Sequence, residues 1–302
     1  MTLGDWVSES VERVRTDGTA GAHESAYEFY VGLCRNMGRR VNYGTNVFEE
    51  SWDVLVILDA CRWDLMREVV SGYDFVDKTT TYSVASSSEE WMEKTFGEVD
   101  NSDVGYVTAN PFSRQMLNPN DFQLLDEVWE YAVDNEVRTI PADAVTDRAI
   151  RAHREINPDR LVAHYMQPHY PFVPNPMDEG LPLEDFGGTD HEDVWDKLRR
   201  GTVSREEAWE SYRANLEYVL DSVRTLLKSV DGDVVITADH GNLLGEFGLY
   251  GHPDYVPVPA LKRVPWCRTT AENEGTYEPA EWSNKSVKDD REELLRNLGY
   301  RS

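Results

Sequence analysis

The chain has 302 residues, of which 56 are acidic and 30 are basic, so its formal net charge is −26. A surface of this sign repels nucleic acid and anionic membranes, and we expect neither as a partner. The acidic residues are spread along the sequence rather than gathered in a tail. Such a composition is typical of proteins that work in molar salt, where charges are screened over roughly 3 Å, and it predicts a halophilic host.

The cysteine and hydropathy patterns indicate a compartment. Cys34, Cys61 and Cys267 lie far apart in the sequence, so we expect neither a disulfide framework nor a zinc ribbon. The sequence starts without a basic region followed by an apolar run, and it contains no stretch of about 18 apolar residues. We therefore predict a cytoplasmic protein without an integral membrane segment; the oligomeric state stays open.

The first 50 residues predict a helical extension that packs on the rest of the chain. Tyr27, Tyr30, Val31 and Cys34 are spaced for one apolar helix face, and Gly38 lies near the end of that helix.

Short apolar runs then alternate with helical patterns. The predicted strands are 52–60, 104–109, 160–166, 233–238 and 261–266, and the predicted helices are 62–70, 144–156 and 206–229. This alternation predicts an α/β fold, a three-layer sandwich with a mostly parallel central sheet. Ligands of such sheets bind beyond the carboxyl ends of the strands.

Two later stretches have no periodicity. Residues 170–200 are rich in Pro, Gly and Asp, which favours a surface loop over the ligand edge of the sheet. The chain is polar after Pro265, and a short terminal helix is predicted only at 287–300.

Two acids and a histidine directly follow predicted strands. Asp59 comes after VLVIL, and Asp239 and His240 come after DVVITA. An Asp in this position also suits a helix cap, and a lone Asp-His pair is often a hydrogen-bonded loop. Two strand-end acids together with His240 and the later His252 favour a divalent metal site.

Five stretches resemble, in the same order, the sulfatase-like branch of the alkaline phosphatase superfamily. They are LDACRWD (58–64), HYMQPHYPFVP (164–174), TADHGNLLGEFGLYGHP (237–253), LKRVPW (261–266) and LRNLGY (295–300). The specific part is DHG followed by LGE and a later GH. The resemblance implies a catalytic domain over residues 51–302, and the acidic composition adds a haloarchaeal source to the expectation.

The resemblance also implies roles for individual residues. Asp59, Asp239 and His240 would bind one metal, while His169 and His252 would bind the anionic group of the substrate or a second metal. The family's nucleophile begins a helix soon after the first strand, which here falls in TYSVASSSEEWMEKTFG (81–97).

Ser86 is the candidate nucleophile within that stretch. Glu90 and Trp91 follow it at the offsets of the acid and the aromatic residue in lipoteichoic acid synthase-like relatives, and Ser87 and Ser88 are the alternatives. Ser86 with Glu89, or Ser87 with Glu90, also fits a helix capping box, and a cap can coexist with a nucleophile.

His240 favours Zn or Mn over Ca or Mg, because Ca prefers oxygen ligands whereas Zn and Mn accept imidazole. The motif C-x-P-S-R, which sulfatases convert to formylglycine, does not occur, and Cys61 belongs to the turn after the first strand. Arg62 either clamps an anionic oxygen or points to solvent. His164, inside an apolar strand, is expected to be a core histidine.

The sequence therefore predicts a metal-dependent hydrolase or transferase. It would act on phosphate or sulfate esters of small molecules, glycans or lipid head groups through a metal-activated serine. The alternatives are a sulfatase that works without formylglycine and a metal-binding pseudoenzyme that binds a glycan or a nucleotide.

Overall fold

The computed structural model describes residues 3–282 except 42, 76, 98, 135 and 178–192. Its helices are α1 Leu3–Asp17, α2 Thr19–Gly38, α3 Trp63–Val69, α4 Ser88–Phe96, α5 Ser113–Met116, α6 Ala142–Arg151, α7 Val194–Arg200, α8 Arg205–Leu227 and α9 Pro259–Lys262. Its strands are β1 Val54–Leu58, β2 Asp77–Tyr82, β3 Val104–Thr108, β4 Leu124–Glu127, β5 Arg160–Tyr165, β6 Gly232–Thr237, β7 Leu243–Leu244, β8 Tyr250–Gly251 and β9 Arg263–Ala271.

A mostly parallel sheet forms the centre of the fold. Within the described residues it contains seven strands in the order β2-β9-β6-β1-β5-β3-β4. The central strand β1 pairs in parallel with β5 and β6, whereas β9 pairs antiparallel with both β2 and β6. The predicted α/β fold with a mostly parallel sheet is therefore confirmed.

Helices cover both faces of the sheet. Successive residues of β1 face opposite sides: Val54, Val56 and Leu58 pack in one apolar cluster with side chains of α6 and α8, and Leu55 and Ile57 pack in a second cluster with α4. Every residue of β1 is buried, which explains why its sequence is a continuous apolar run rather than an alternating one.

Three predictions along the chain were wrong in detail. The stretch predicted as a loop over 170–200 contains α7, whose Val194, Trp195 and Leu198 are buried. Strand β9 continues to Ala271, beyond the point where the sequence loses its apolar pattern. The strands β2 and β4 lie at the two edges of the sheet, and they were not predicted because edge strands need no continuous apolar run. The predicted helix at 287–300 lies outside the described residues.

The second helix lies against the segments that follow β6. Tyr27, Val31 and Cys34 of α2 pack on a small apolar cluster, whose other members include Leu243, Leu249, Val256 and Leu261. Gly38 ends α2 against the carbonyl of Tyr255. In the described part of the chain, no helix is both long and apolar enough to cross a bilayer.

The contact at Gly38 leads to a prediction about stability. A Cβ atom added at Gly38 would lie 1.5 Å from the Tyr255 oxygen, whereas one added at Gly32 of the same helix meets no atom within 4 Å. Gly38→Ala should destabilise the protein by about 1–3 kcal/mol, because the backbone must move apart. Gly32→Ala should be neutral or stabilise by up to about 1 kcal/mol through helix propensity.

Thermal unfolding of the two variants beside the wild type tests this packing. Equal melting temperatures for the two variants would show that α2 does not pack against Tyr255 in solution.

Candidate metal centre

Asp59, Asp239 and His240 meet at the carboxyl edge of the sheet. Strands β1 and β6 are parallel neighbours, so the residues that follow them emerge side by side. Ligand atoms of the three buried side chains lie within 4.8 Å of one another. His240 Nε2 is 3.4 Å from Asp239 Oδ2 and 3.7 Å from Asp59 Oδ1. The three side chains named as metal ligands from the sequence therefore form one cluster.

Ser88 adds a hydroxyl to this cluster. Its Oγ lies 2.7 Å from Asp239 Oδ2, 3.2 Å from His240 Nε2 and 3.4 Å from Asp59 Oδ2. Ser88 is the first residue of α4, and the preceding Ser87 is the N-cap, whose hydroxyl accepts a hydrogen bond from the Glu90 N–H. The start of α4 therefore aims Ser88 at the two carboxylates.

Ser86 lies apart from the cluster. Its Oγ is 3.0 Å from Glu90 Oε2 and 2.9 Å from the Pro253 carbonyl oxygen, and it accepts a hydrogen bond from Val256 N–H. The structure thus brings Ser88 to the predicted metal ligands and does not bring Ser86 there. The capping box expected between Ser87 and Glu90 is only half formed, because the Glu90 carboxylate accepts from the N–H of Ser86 instead of Ser87.

The donor atoms of the cluster fit a divalent cation. Asp59 Oδ1 is buried and has no hydrogen-bond partner, while Asp59 Oδ2 accepts from Asn110 Nδ2 at 2.8 Å. His240 Nδ1 lies 2.7 Å from the Gly241 carbonyl oxygen. Nε2 is therefore the ring nitrogen that faces the carboxylates. A buried carboxylate oxygen without a hydrogen-bond partner beside this nitrogen suits a divalent cation.

The charges of the two carboxylates also favour a bound cation. Burial raises the pKa of Asp59 well above its ordinary value, and the negative charge of Asp239 raises it further. Burial also raises the pKa of Asp239, but His240, His164 and the hydrogen bond from Ser88 outweigh it and hold this pKa below the ordinary value. Both carboxylates can be ionised together only when a positive charge compensates them.

His164 lies in β5 as predicted, but it faces the cluster. Its Nδ1 is 2.6 Å from the Tyr106 hydroxyl, and its Nε2 is 3.7 Å from Asp239 Oδ2. Burial lowers the pKa of His164 to about 4 and raises that of Tyr106 well above its ordinary value. Tyr106 therefore donates to a neutral imidazole, whose remaining N–H is directed toward Asp239.

His169 and His252 form a second pair of imidazoles beside the cluster. Their Nε2 atoms are 2.9 Å apart, and the His252 ring lies 4.8 Å from the His240 ring. Burial, followed by the proximity of His240, lowers the pKa of His169 to about 4 and that of His252 well below its ordinary value. Both rings are therefore neutral near pH 7 in the absence of a bound anion.

Arg62, the other predicted substrate-binding residue, is held by protein groups. Its Nε and Nη2 donate to the two oxygens of Asp64, and its Nη1 donates to Glu246 Oε1 and to the Asn242 carbonyl oxygen. These bonds tie the start of α3 to the segment after His240. The structure gives Arg62 a structural role rather than the predicted anion clamp.

Two amides at the site were missed in the sequence. Asn110 follows the predicted strand at 104–109, so the strand-end pattern that marked Asp59 also applied to it. Asn215 lies within α8 without any local signal, and its Nδ2 donates to the carbonyl oxygens of Pro168 and His169. It fixes the loop that carries His169.

Comparison with known proteins gives only remote similarities. No family model matches the sequence, and no curated protein matches it. Among solved structures, the chain is similar to the soluble domain of lipooligosaccharide phosphoethanolamine transferase A from Neisseria meningitidis. The identity is 15%, the match covers 72% of this chain and 76% of that one, and the TM-score is 0.44.

Two further structures have different activities. Lipoteichoic acid synthase LtaP from Listeria monocytogenes is 13% identical over 76% of this chain and 66% of its own, with a TM-score of 0.41. A 2-O GAG sulfatase is 12% identical over 82% of this chain and 70% of its own, with a TM-score of 0.40. These neighbours are transferases, synthases and sulfatases, and identities this low leave the chemistry of this chain to its own residues. None of them bears on the predicted haloarchaeal source.

The cluster predicts how single substitutions change metal content. Asp59→Asn and Asp239→Asn keep the side-chain shape but remove a charged ligand, so each should weaken Zn or Mn binding by at least about 10- to 100-fold. Asp53→Asn is the control, because Asp53 lies at the opposite end of β1 and accepts from the Asp233 N–H.

Elemental analysis after dialysis against each metal, together with calorimetric titration, measures the effect. Wild-type metal content in Asp239→Asn, or failure of the wild type to take up metal, would exclude the cluster as a metal centre.

Proposed function

We propose that the protein is a metal-dependent hydrolase or transferase of phosphate esters with Ser88 as its nucleophile. The observation that carries the proposal is the position of the Ser88 hydroxyl, which lies within 3.4 Å of all three side chains of the cluster. A divalent ion held by Asp59, Asp239 and His240 would lower the pKa of this hydroxyl and offset negative charge on the phosphoryl group.

The residues around Ser88 suit nucleophilic attack. Asp239 Oδ2 is 2.7 Å from the Ser88 oxygen and can hold the hydroxyl proton when the oxygen attacks phosphorus. Ser88 begins α4, and a helix N-terminus attracts an anion through its unpaired N–H groups and its dipole. The start of α4 therefore carries the serine hydroxyl and favours a phosphate group beside it.

His169 and His252 are the groups that hold the oxygens of the transferred phosphate. Asn215 and the strand pair β7–β8 fix the two imidazoles in place before a substrate binds, which avoids an ordering cost during the reaction. Attack forms the bond between Ser88 Oγ and phosphorus and breaks the bond from phosphorus to the ester oxygen, which leaves as an alcohol with the proton taken from Ser88. Water or a second alcohol then displaces Ser88 from phosphorus and returns a proton to it, and the acceptor decides between hydrolysis and transfer. Esters of glycans or lipid head groups are the substrates that we propose.

The contacts of Ser88 also favour an enzyme over a pseudoenzyme. The pseudoenzyme hypothesis drew on the ambiguity between Ser86, Ser87 and Ser88, and Ser88 has the contacts that a nucleophile needs. A sulfatase that works without formylglycine would use the same Ser88 hydroxyl, so the comparison of sulfate and phosphate esters described below separates it from a phosphoesterase. A salt-rich cytoplasm as the working environment stays a prediction from composition.

Single substitutions of Ser88 and Ser86 test which of the two serines is the nucleophile. Ser88→Ala should lower kcat for 4-nitrophenyl phosphate or bis(4-nitrophenyl) phosphate by at least about a thousandfold, because the attacking oxygen is lost. Ser86→Ala should lower it by only about tenfold, because this hydroxyl acts through its neighbours. The same assay with 4-nitrophenyl sulfate compares the two ester classes. Undiminished phosphoesterase activity in Ser88→Ala would end the serine mechanism.

Anion binding should be coupled to proton uptake. The pKa of His169 is low in the empty protein, and a bound anion raises it. Between these two pKa values the imidazole gains a proton on binding, so affinity should rise as the pH falls from 8 toward about 5.

Sulfate is the suitable probe, because it does not titrate in this range. Calorimetry of sulfate binding to the metal-loaded protein, in buffers with different ionisation enthalpies, gives the number of protons taken up, and His169→Gln should abolish the uptake. A second equivalent of metal that is lost in His252→Gln, without proton uptake, would instead assign the pair to a second metal.

A further inference from the structure

Glu90 is a buried carboxylate that the proposed reaction does not use. Its Oε2 accepts hydrogen bonds from Ser86 N–H at 2.9 Å, from the Ser86 hydroxyl at 3.0 Å and from Tyr255 N–H at 3.0 Å. Its Oε1 accepts from the Lys94 ammonium group one turn further along α4. A single side chain therefore binds two segments that are about 170 residues apart in the sequence.

Each of these segments carries a group of the proposed site. Ser86 precedes Ser88 by two residues, and Tyr255 follows His252 by three. The Ser86 hydroxyl strengthens the connection, because it is 2.9 Å from the Pro253 carbonyl oxygen and accepts from the Val256 N–H at 3.1 Å. The start of the nucleophile helix and the end of the imidazole segment are thus joined by one hydrogen-bond network.

The imidazole segment needs this support. Tyr255 has φ +56°, a left-handed conformation that bulky residues rarely adopt and that is strained unless its surroundings hold it. The carboxylate that accepts its N–H is ionised: burial raises the pKa of Glu90, but Lys94 and the N–H groups of Ser86 and Tyr255 outweigh it and hold the pKa below its ordinary value. A charged acceptor makes stronger hydrogen bonds than a neutral one.

We propose that Glu90 is a positioning residue, which sets the distance between the nucleophile Ser88 and the phosphate-binding His252. The inference rests on the proposed function, since both groups have these roles only there. A buried ion pair such as Glu90–Lys94 contributes little to net stability compared with apolar residues of the same size. The Glu90 carboxylate instead fixes the distance between Ser88 and His252, because a displacement of 1 Å between reacting groups can cost about 100-fold in rate.

The test compares Glu90→Gln with Glu93→Gln in the full metal-loaded chain. Glu93 is an exposed residue of the same helix and accepts from the Tyr255 hydroxyl rather than from its N–H, so its substitution removes the same charge without opening the network. Glu90→Gln should lower kcat for bis(4-nitrophenyl) phosphate by about 10- to 100-fold with unchanged metal content. The KM should change by less than about threefold, since the loss falls on the transition state.

Hydrogen exchange gives a readout that does not depend on turnover. The amide hydrogens of Ser86 and Tyr255 should exchange faster in Glu90→Gln than in the wild type, and they should be unchanged in Glu93→Gln. If Glu90→Gln does not fold, Ser86→Ala replaces it, with the same direction of change in kcat and in the exchange of the Val256 amide.

The outcomes separate the two proposals. Unchanged exchange, or a kcat per metal-loaded molecule equal to that of Glu93→Gln, overturns the role of Glu90 and leaves the proposed function standing. A wild type that neither turns over the ester nor binds sulfate overturns the proposed function, and with it the role of Glu90.

Discussion

Two carboxylates buried side by side can both be ionised only with a positive charge between them, and the site is arranged around this constraint. Asp59 and Asp239 end adjacent parallel strands, so the topology of the sheet itself forces their approach. The protein supplies neutral donors to three of the four carboxylate oxygens. Asn110 donates to Asp59 Oδ2, Ser88 donates to Asp239 Oδ2, and the N–H of Ala60 donates to Asp239 Oδ1 at 3.0 Å. Asp59 Oδ1, which has no hydrogen-bond partner, and His240 Nε2 are the atoms that face the candidate cation site.

The segments around the cluster are each held by one buried polar side chain from a helix. Asn215 of α8 binds the carbonyl groups of the His169 loop. Arg62, at the start of α3, binds the segment after His240. Glu90 of α4 binds the segment after His252. Because these helices pack on the sheet through apolar side chains, their polar side chains connect the segments around the cluster to the core. Substitutions of Asn215, Arg62 or Glu90 are therefore expected to change the site through the segments that these side chains hold.

The charge of the whole protein and the charge of the site have opposite effects on an anionic substrate. Under the proposed function, a net charge of −26 would repel a phosphate ester at long range, whereas a bound cation and the start of α4 would attract it at short range. In molar salt the long-range term vanishes within roughly 3 Å, and the short-range contacts persist because they are buried. An acidic surface is compatible with an anionic substrate under these conditions, and the halophilic host remains a prediction.

The sequence by itself determined the parallel sheet and the proximity of the three candidate metal ligands. Buried parallel strands leave continuous apolar runs, and side chains that directly follow them must meet at one edge, so Asp59, Asp239 and His240 could be placed together without coordinates. Only the tertiary structure showed that Ser88, and not Ser86, faces the cluster. Neighbouring residues at a helix start point in directions about 100° apart, and the residue that faces the cluster depends on where the N-cap falls. The contacts of Arg62 with Asn242 and of Glu90 with Tyr255 were likewise beyond the sequence, because these partners lie more than 150 residues away and are selected by the packing of helices on the sheet.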